Sequence, residues 1–84
     1  MIAQEIKESI LSKKIELEIK GFTPKYLCLS QNNYDELCLS YEKYLESINS
    51  IYVPIRLKEI YGLKIVIDDN LEDEIGVGIW KNGK

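Results

Sequence analysis

The side chains best able to bind a ligand lie in a short acidic segment near the C-terminus. Five carboxylates fall there within seven positions: Asp68, Asp69, Glu72, Asp73 and Glu74. An EF-hand loop that binds Ca²⁺ needs glycine at its sixth position and glutamate at its twelfth. Counted from Asp68, those positions hold Asp73 and Ile79, so the segment does not match an EF-hand. Three interpretations stay open, of which the first is favoured: a solvated loop, an acidic surface that binds a partner, and a looser cation site.

The two cysteines, Cys28 and Cys38, are the other candidate reactive groups. Their spacing fits no zinc or redox motif, and the chain has no histidine to serve as a base. Both lie on predicted apolar faces, where a free cysteine packs as a small hydrophobic residue. The sequence also lacks a glycine-rich phosphate loop and a Ser-His-Asp set. We therefore predict two reduced core thiols, no metal or cofactor, and no enzymatic activity.

Two amphipathic segments predict helices. In residues 2–20, isoleucines recur every four positions: Ile2, Ile6 and Ile10, then Ile15 and Ile19. Gly21 and Pro24 follow at positions that end helices. In the alternative interpretation this helix ends near Lys14, and the alternating residues 15–19 form a strand.

The second helix has the clearest pattern in the chain. Its apolar stripe comprises Tyr34, Leu37, Cys38, Tyr41, Leu45 and Ile48. Ser30, Asn32 and Asn33 are candidate N-caps. Glu42 falls away from the stripe with the other charged residues, and Leu39 lies on the polar side.

Three segments predict β structure. Residues Lys25–Ser30 are apolar on both faces, which predicts a central strand. Residues Ile55–Asp68, broken near Gly62, and Ile75–Trp80 alternate in polarity. The loop Asp68–Glu74 is expected to join the last two as an antiparallel hairpin. Residues 81–84 are expected to be a frayed tail.

These elements predict one α+β domain over residues 1–84, with two helices packed on one face of a small three- to four-stranded, mostly antiparallel sheet. The predicted core consists of Leu27, Leu29, Leu37, Cys38, Tyr41, Leu45, Leu63, Ile65 and Ile67. Within it, Leu45→Ala is expected to cost roughly 2–5 kcal/mol.

Charge and hydropathy exclude several classes of partner. The net charge is −3, which argues against nucleic-acid binding through a broad basic patch. The first residues carry charges where a signal peptide needs an apolar core, and no apolar run approaches the roughly 20 residues that span a bilayer. We therefore expect a cytoplasmic protein without a membrane partner.

Several large apolar side chains exceed what one small core is expected to bury. Leu39, Tyr44, Tyr52 and Trp80 are the candidate contacts for a protein partner or for a second copy in a homodimer or small homo-oligomer. Trp80 also has a simpler interpretation, in which it covers the glycines of its own strand.

The run Gly21-Phe-Thr-Pro-Lys-Tyr-Leu-Cys-Leu-Ser, followed by Tyr34-Asp-Glu-Leu37, resembles segments of tailed-phage capsid-type proteins. In those proteins a helix ends in glycine, and a proline, a short apolar strand, a polar cap and a tyrosine-bearing helix follow. Residues 61–68 resemble the strand that often comes next. The resemblance covers about half of the chain and implies a phage or prophage origin. A protein of that origin is expected in the cytoplasm of the host cell.

This origin favours a non-enzymatic accessory protein that acts by stoichiometric binding. Inhibition of a host defence system, as by an anti-CRISPR protein or an immune-signal sponge, fits the small size and the spare aromatic side chains. A virion-associated or capsid-like structural module is the alternative. A small-ligand or metal-binding domain is the third hypothesis.

Overall fold

The computed structural model describes residues 2–49, 54–71 and 74–79 and shows the predicted α+β fold. Two helices pack with a four-stranded mixed sheet whose strand order is β2-β3-β1-β4. Two of its three pairings are antiparallel. The elements in chain order are α1 (Ala3–Ile19), β1 (Tyr26–Leu29), α2 (Gln31–Asn49), β2 (Glu59–Ile60), β3 (Leu63–Ile67) and β4 (Ile75–Gly78).

Helix α1 is a single helix through residue 19, so the prediction of one helix is confirmed and the strand alternative for residues 15–19 is wrong. Its end is the predicted glycine stop. Gly21 has φ +89°, its N–H donates to the carbonyl of Glu18, and the N–H of Phe22 donates to that of Leu17, both at 3.0 Å. These two bonds form a Schellman motif, which glycine favours because it adopts positive φ without steric cost.

Strand β1 lies inside the sheet, as its two apolar faces predicted. It pairs in parallel with β3, with Leu27 opposite Ile65, and antiparallel with β4, with Leu27 opposite Val77. The predicted hairpin between the last two strands is therefore wrong, because β1 lies between them. After β3 the chain instead passes the end of β1, where Asp68 donates its N–H to the Leu29 carbonyl at 2.8 Å. Strand β1, apolar on both faces, thus has a strand on each side, whereas glycine-containing β4 lies at an edge of the sheet.

The predicted break near Gly62 is a tight turn. Tyr61 and Gly62 have φ of +52° and +78° and form the two-residue loop between β2 and β3. Two consecutive positive φ angles are typical of a type I′ turn, whose twist matches that of the flanking strands. The predicted strand over Ile55–Asp68 is thus two strands, and residues 54–58 before them are not in a strand.

The core lies between α1, α2 and one face of the sheet. Of the predicted core residues, Leu27, Leu29, Leu37, Cys38 and Leu63 are buried. Tyr41, Leu45 and Ile65 are half-buried, and Ile67 is exposed at the end of β3, so its placement in the core was wrong. The half-burial of Leu45 also lowers the stability loss expected for Leu45→Ala. The buried residues missing from the prediction are Ile6, Ile10, Ile60 and Ile75, and Cys28 is buried as predicted for a core thiol.

Both helices are longer than the strands of the sheet and extend beyond it. At 1.5 Å per residue, α1 and α2 are about 25 and 28 Å long, whereas five residues of strand span about 17 Å. No residue of α1 after Ile10, and none of α2 from Lys43 to Asn49, is buried. Ile48 therefore lies exposed although its stripe faces the core. The point at which each apolar stripe becomes exposed is therefore set by the length of the helix relative to the sheet, and not by the direction in which the stripe faces.

Candidate functional site

Two residues of the acidic segment, Asp69 and Glu74, lie against the N-terminus of α2. Asp69 Oδ1 accepts a hydrogen bond from the N–H of Gln31 at 2.8 Å, and Ser30 Oγ accepts one from the N–H of Asn33 at 3.3 Å. Ser30 is thus the N-cap among the three predicted candidates. A carboxylate at this end satisfies an otherwise unpaired helix N–H and interacts favourably with the positive end of the helix dipole.

Glu74 fixes the other end of the same segment. Its backbone carbonyl accepts from the N–H of Ser30 at 3.2 Å, and its Oε2 accepts from Nδ2 of the buried Asn33 at 3.5 Å. Glu74 also has φ +62°, which is uncommon outside glycine. Asn33 was predicted only as a cap candidate. Its buried side-chain amide is hydrogen-bonded to Glu74, which lies 41 residues away, so the local sequence does not indicate this contact.

Three of the five acidic candidates therefore have structural partners. Besides Asp69 and Glu74, Asp68 accepts the N–H of Asn70 at 2.9 Å in a local turn. Glu72 and Asp73 lie outside the described residues. Within residues 2–49, 54–71 and 74–79, no three side chains of the metal-binding types come together. Binding of a charged partner by this segment stays a prediction.

Of the four predicted interface residues, the two that the structure describes do not form one patch. Tyr52 and Trp80 lie outside the described residues. Leu39 and Tyr44 are both on α2 and are 39% and 63% exposed. Five positions at about 100° per residue place them roughly 140° apart around the helix. Ile48, one turn after Tyr44 and 58% exposed, shares the face of Tyr44 instead.

A buried carboxylate holds the segment that enters the β2–β3 hairpin. Glu42 is only 5% exposed, and its Oε1 accepts a hydrogen bond from the N–H of Ile55 at 2.8 Å. Two turns earlier on α2, the hydroxyl of Tyr34 donates to the carbonyl of Leu57 at 2.9 Å. The prediction that Glu42 lies on the solvated face of α2 was wrong. Residues 54–58 cross that side of the helix, where the Ile55 N–H and the Leu57 carbonyl are hydrogen-bonded to Glu42 and Tyr34.

The tyrosines of the predicted stripe combine apolar packing with polar contacts. The ammonium of Lys7 lies 4.6 Å from the ring centre of Tyr41, which links α1 to α2. Burial, with a smaller contribution from Tyr61, raises the pKa of Tyr41. Burial, followed by the neighbouring Cys38 thiol, raises the pKa of Tyr34. These shifts favour neutral hydroxyls that act as hydrogen-bonding core groups.

The two thiols are buried and unpaired, in agreement with the prediction of core packing. Burial, and secondarily the negative charge of Asp68, raises the pKa of Cys28. Cys28 lies on the sheet face opposite the helices. A Cβ placed on Gly76 would lie 3.9 Å from Cys28 Cβ and from Leu71 Cδ2, so Leu71 covers this part of the sheet. A raised pKa lowers the thiolate fraction, and the thiolate is the nucleophile.

We expect slow thiol modification in the folded protein. An aromatic disulfide reagent at neutral pH should react slowly with both cysteines in buffer and rapidly with two thiols per chain in denaturant. The reason is the burial of both sulfurs and the raised pKa of Cys28. The absorbance of the aromatic thiolate released by the reagent measures both the rate of reaction and the number of thiols that react. A fast reaction in buffer, or fewer than two thiols in denaturant without reductant, would contradict the buried free-thiol state.

The exposed part of the same sheet face forms a shallow depression of about 470 Å³. Tyr26, Glu59, Lys64 and Val66 share this face through the strand register. Lys58 and Ile65 complete the lining. Two ammonium groups beside an aromatic ring suit an anionic ligand with an apolar portion, although Glu59 reduces the local positive charge.

No protein-family model, curated protein or solved structure matches this chain. The resemblance of residues 21–37 to tailed-phage capsid-type proteins therefore stays a prediction. Among the described helices, neither combines the length and apolar content needed to cross a membrane.

Proposed function

We propose that this chain is a phage-type accessory protein that acts without catalysis, by stoichiometric binding to another protein such as a component of a host defence system. The observation that carries the proposal is the exposed pair Tyr44 and Ile48, one turn apart on α2 and 63% and 58% exposed. Adjacent large side chains on a helix serve as anchors when a helix binds in a groove. The phage origin rests on the resemblance of residues 21–37.

The surroundings of this pair suit a protein contact. Exposed Ser47 lies beside Tyr44 around the helix, and exposed Lys43 lies further round on the same side, so polar side chains flank the apolar pair there. The pair lies after Glu42, the last buried residue of α2, in the part of the helix that extends beyond the sheet. A partner can therefore approach this turn without displacing core residues. Tyrosine is also among the residues that most often dominate binding energy at interfaces.

The test is phage plaquing on paired bacterial strains that differ only in one defence system, CRISPR–Cas or nucleotide-signalling immunity. Expression of the chain should raise plaquing efficiency in the strain that carries its target system and leave the other unchanged. Tyr44→Asp should remove this effect. Leu39→Asp, on the opposite side of α2, is the matched variant and should retain it.

Unchanged plaquing across a panel of both classes of defence system would contradict a role in defence inhibition. Loss of the effect in Leu39→Asp but not in Tyr44→Asp would place the contact on the other side of α2. Assembly of the purified chain into open particles or filaments would favour the virion-associated alternative instead.

A small-ligand function is the second candidate, favoured by the depression beside Lys58, Lys64 and Tyr26. An anionic nucleotide signal fits this lining, and its capture would make the protein an immune-signal sponge. Titration calorimetry with cyclic dinucleotides should show saturable heat that Lys64→Glu abolishes. Absence of heat across the nucleotide panel would contradict this candidate and leave the Tyr44 surface as the proposed site.

A further inference from the structure

Helix α1 carries a second apolar stripe on the side away from the core. Ile6 and Ile10 are fully buried, whereas Leu11, Ile15 and Ile19 are 37%, 52% and 81% exposed. At about 100° per residue, the mean direction of these three side chains lies roughly 160° from that of Ile6 and Ile10. Such a helix is apolar on two opposite faces, and only one of them is covered by this chain. We call Leu11, Ile15 and Ile19 the outer stripe.

We propose that the outer stripe is a self-association surface, on which α1 pairs antiparallel with α1 of a second copy about a two-fold axis at Ile15. In this arrangement Ile15 faces its own counterpart, and Leu11 faces the partner's Ile19. Each copy thus presents the same patch, as closed two-fold symmetry requires. The proposal is separate from the target-binding function assigned to Tyr44 and Ile48 on α2.

Charge complementarity selects both the second copy and its direction. Lys14 and Glu18 border the same side of the outer stripe, one turn apart. In the antiparallel pair, Lys14 lies beside the partner's Glu18, offset by about 3 Å along the helix axis, and the contact occurs twice. Opposite charges at the edges of a helix pair set its orientation.

The other side of the stripe is compatible with this arrangement. Glu16 lies there and pairs with Lys20 of its own helix at 3.7 Å, which reduces repulsion between the two Glu16 side chains. A parallel pair would instead place the partner's Glu16 between Lys14 and Glu18, so that its attraction to Lys14 is offset by repulsion from Glu18. The sequence of charges around the outer stripe therefore favours the antiparallel pair.

The size of the patch sets the expected strength. A standard stable interface buries about 800 Å² on each partner. Three partly exposed aliphatic side chains with their flanking stems supply less than that. We therefore expect a dimer that dissociates on dilution, and a measurement over a wide concentration range is needed to observe it.

Sedimentation equilibrium of the full chain tests the proposal. The mass should rise with concentration from 9.8 kDa towards twice that value. Ile15→Glu should keep the mass at the monomer value, with an unchanged circular dichroism spectrum because Ile15 is exposed. Ile48→Glu is the matched control on α2 and should dimerise like the unaltered chain.

A charge swap tests the direction of pairing. Lys14→Glu and Glu18→Lys should each weaken the dimer, and the double variant should restore it, because each swapped side chain again meets its opposite. A monomer at every concentration would overturn the proposal. A dimer that survives Ile15→Glu, or a double variant no stronger than the single ones, would overturn it as well.

Discussion

Replacement of Ile10 by alanine is expected to lower the free energy of unfolding by about 2–5 kcal/mol. Ile10 is fully buried on α1 and belongs to the cluster between the helices and the sheet. Its truncation removes apolar contact and leaves a cavity that the surrounding side chains fill only in part. Domains of this size are stabilised by about 5–10 kcal/mol, so urea denaturation should show a midpoint far below that of the unaltered chain.

Ile19→Ala is the matched control, since it makes the same chemical change on the same helix at a position that is 81% exposed. Substitutions at such sites usually change stability by less than about 0.5 kcal/mol. Equal losses at positions 10 and 19 would contradict the assignment of the inner and outer faces of α1.

The second large effect is expected at Glu42. Glu42→Ala should cost about 1–3 kcal/mol, because it removes the acceptor for the N–H of Ile55 and leaves that group without its partner beside the core. Glu42→Gln keeps an acceptor oxygen at the same reach and should lose less. Urea denaturation of both variants, followed by circular dichroism, measures the difference.

Glu46→Ala one turn later is the control, since Glu46 is an exposed glutamate on the same helix. Amide hydrogen exchange adds a local measurement, because the Ile55 N–H should exchange faster in Glu42→Ala than in Glu46→Ala. Equal stability and equal exchange in these two variants would contradict the buried role of Glu42.

Features specified by a few neighbouring residues could be predicted from the sequence. Gly21 and Pro24 mark the end of α1, and Gly62 marks the turn between β2 and β3. The double-faced apolar run of β1 indicates a central strand. In each case the cause is local, either a positive φ that glycine adopts readily or burial on both faces of a short segment.

Features that depend on distant segments could not be predicted in this way. The position of β1 between β3 and β4 follows from pairing across more than 35 residues. Glu42 is buried because residues 54–58 cross its side of α2, and its local pattern is that of a solvated side chain. A helical stripe shows which side faces inward, but not where the sheet beneath it ends, so the stripe alone does not show that Ile48 is exposed.

The candidate site was predicted in part. Leu39 and Tyr44 are exposed as expected for contact residues, but they lie on different sides of α2. Ile48 and the outer stripe of α1 were missed because isoleucine at helical spacing usually indicates core packing. Asp69 and Glu74 were singled out for their charge, and the structure adds their contacts with the N-terminal turn of α2.

Native mass spectrometry of the tagged chain purified from defence-positive cells tests the binding proposal most directly. The account predicts a complex with one host protein at a fixed integer ratio, lost in Tyr44→Asp and in Ile48→Asp and retained in Leu39→Asp. Purification of the chain without a host protein, or a complex unaffected by changes at both Tyr44 and Ile48, would contradict it.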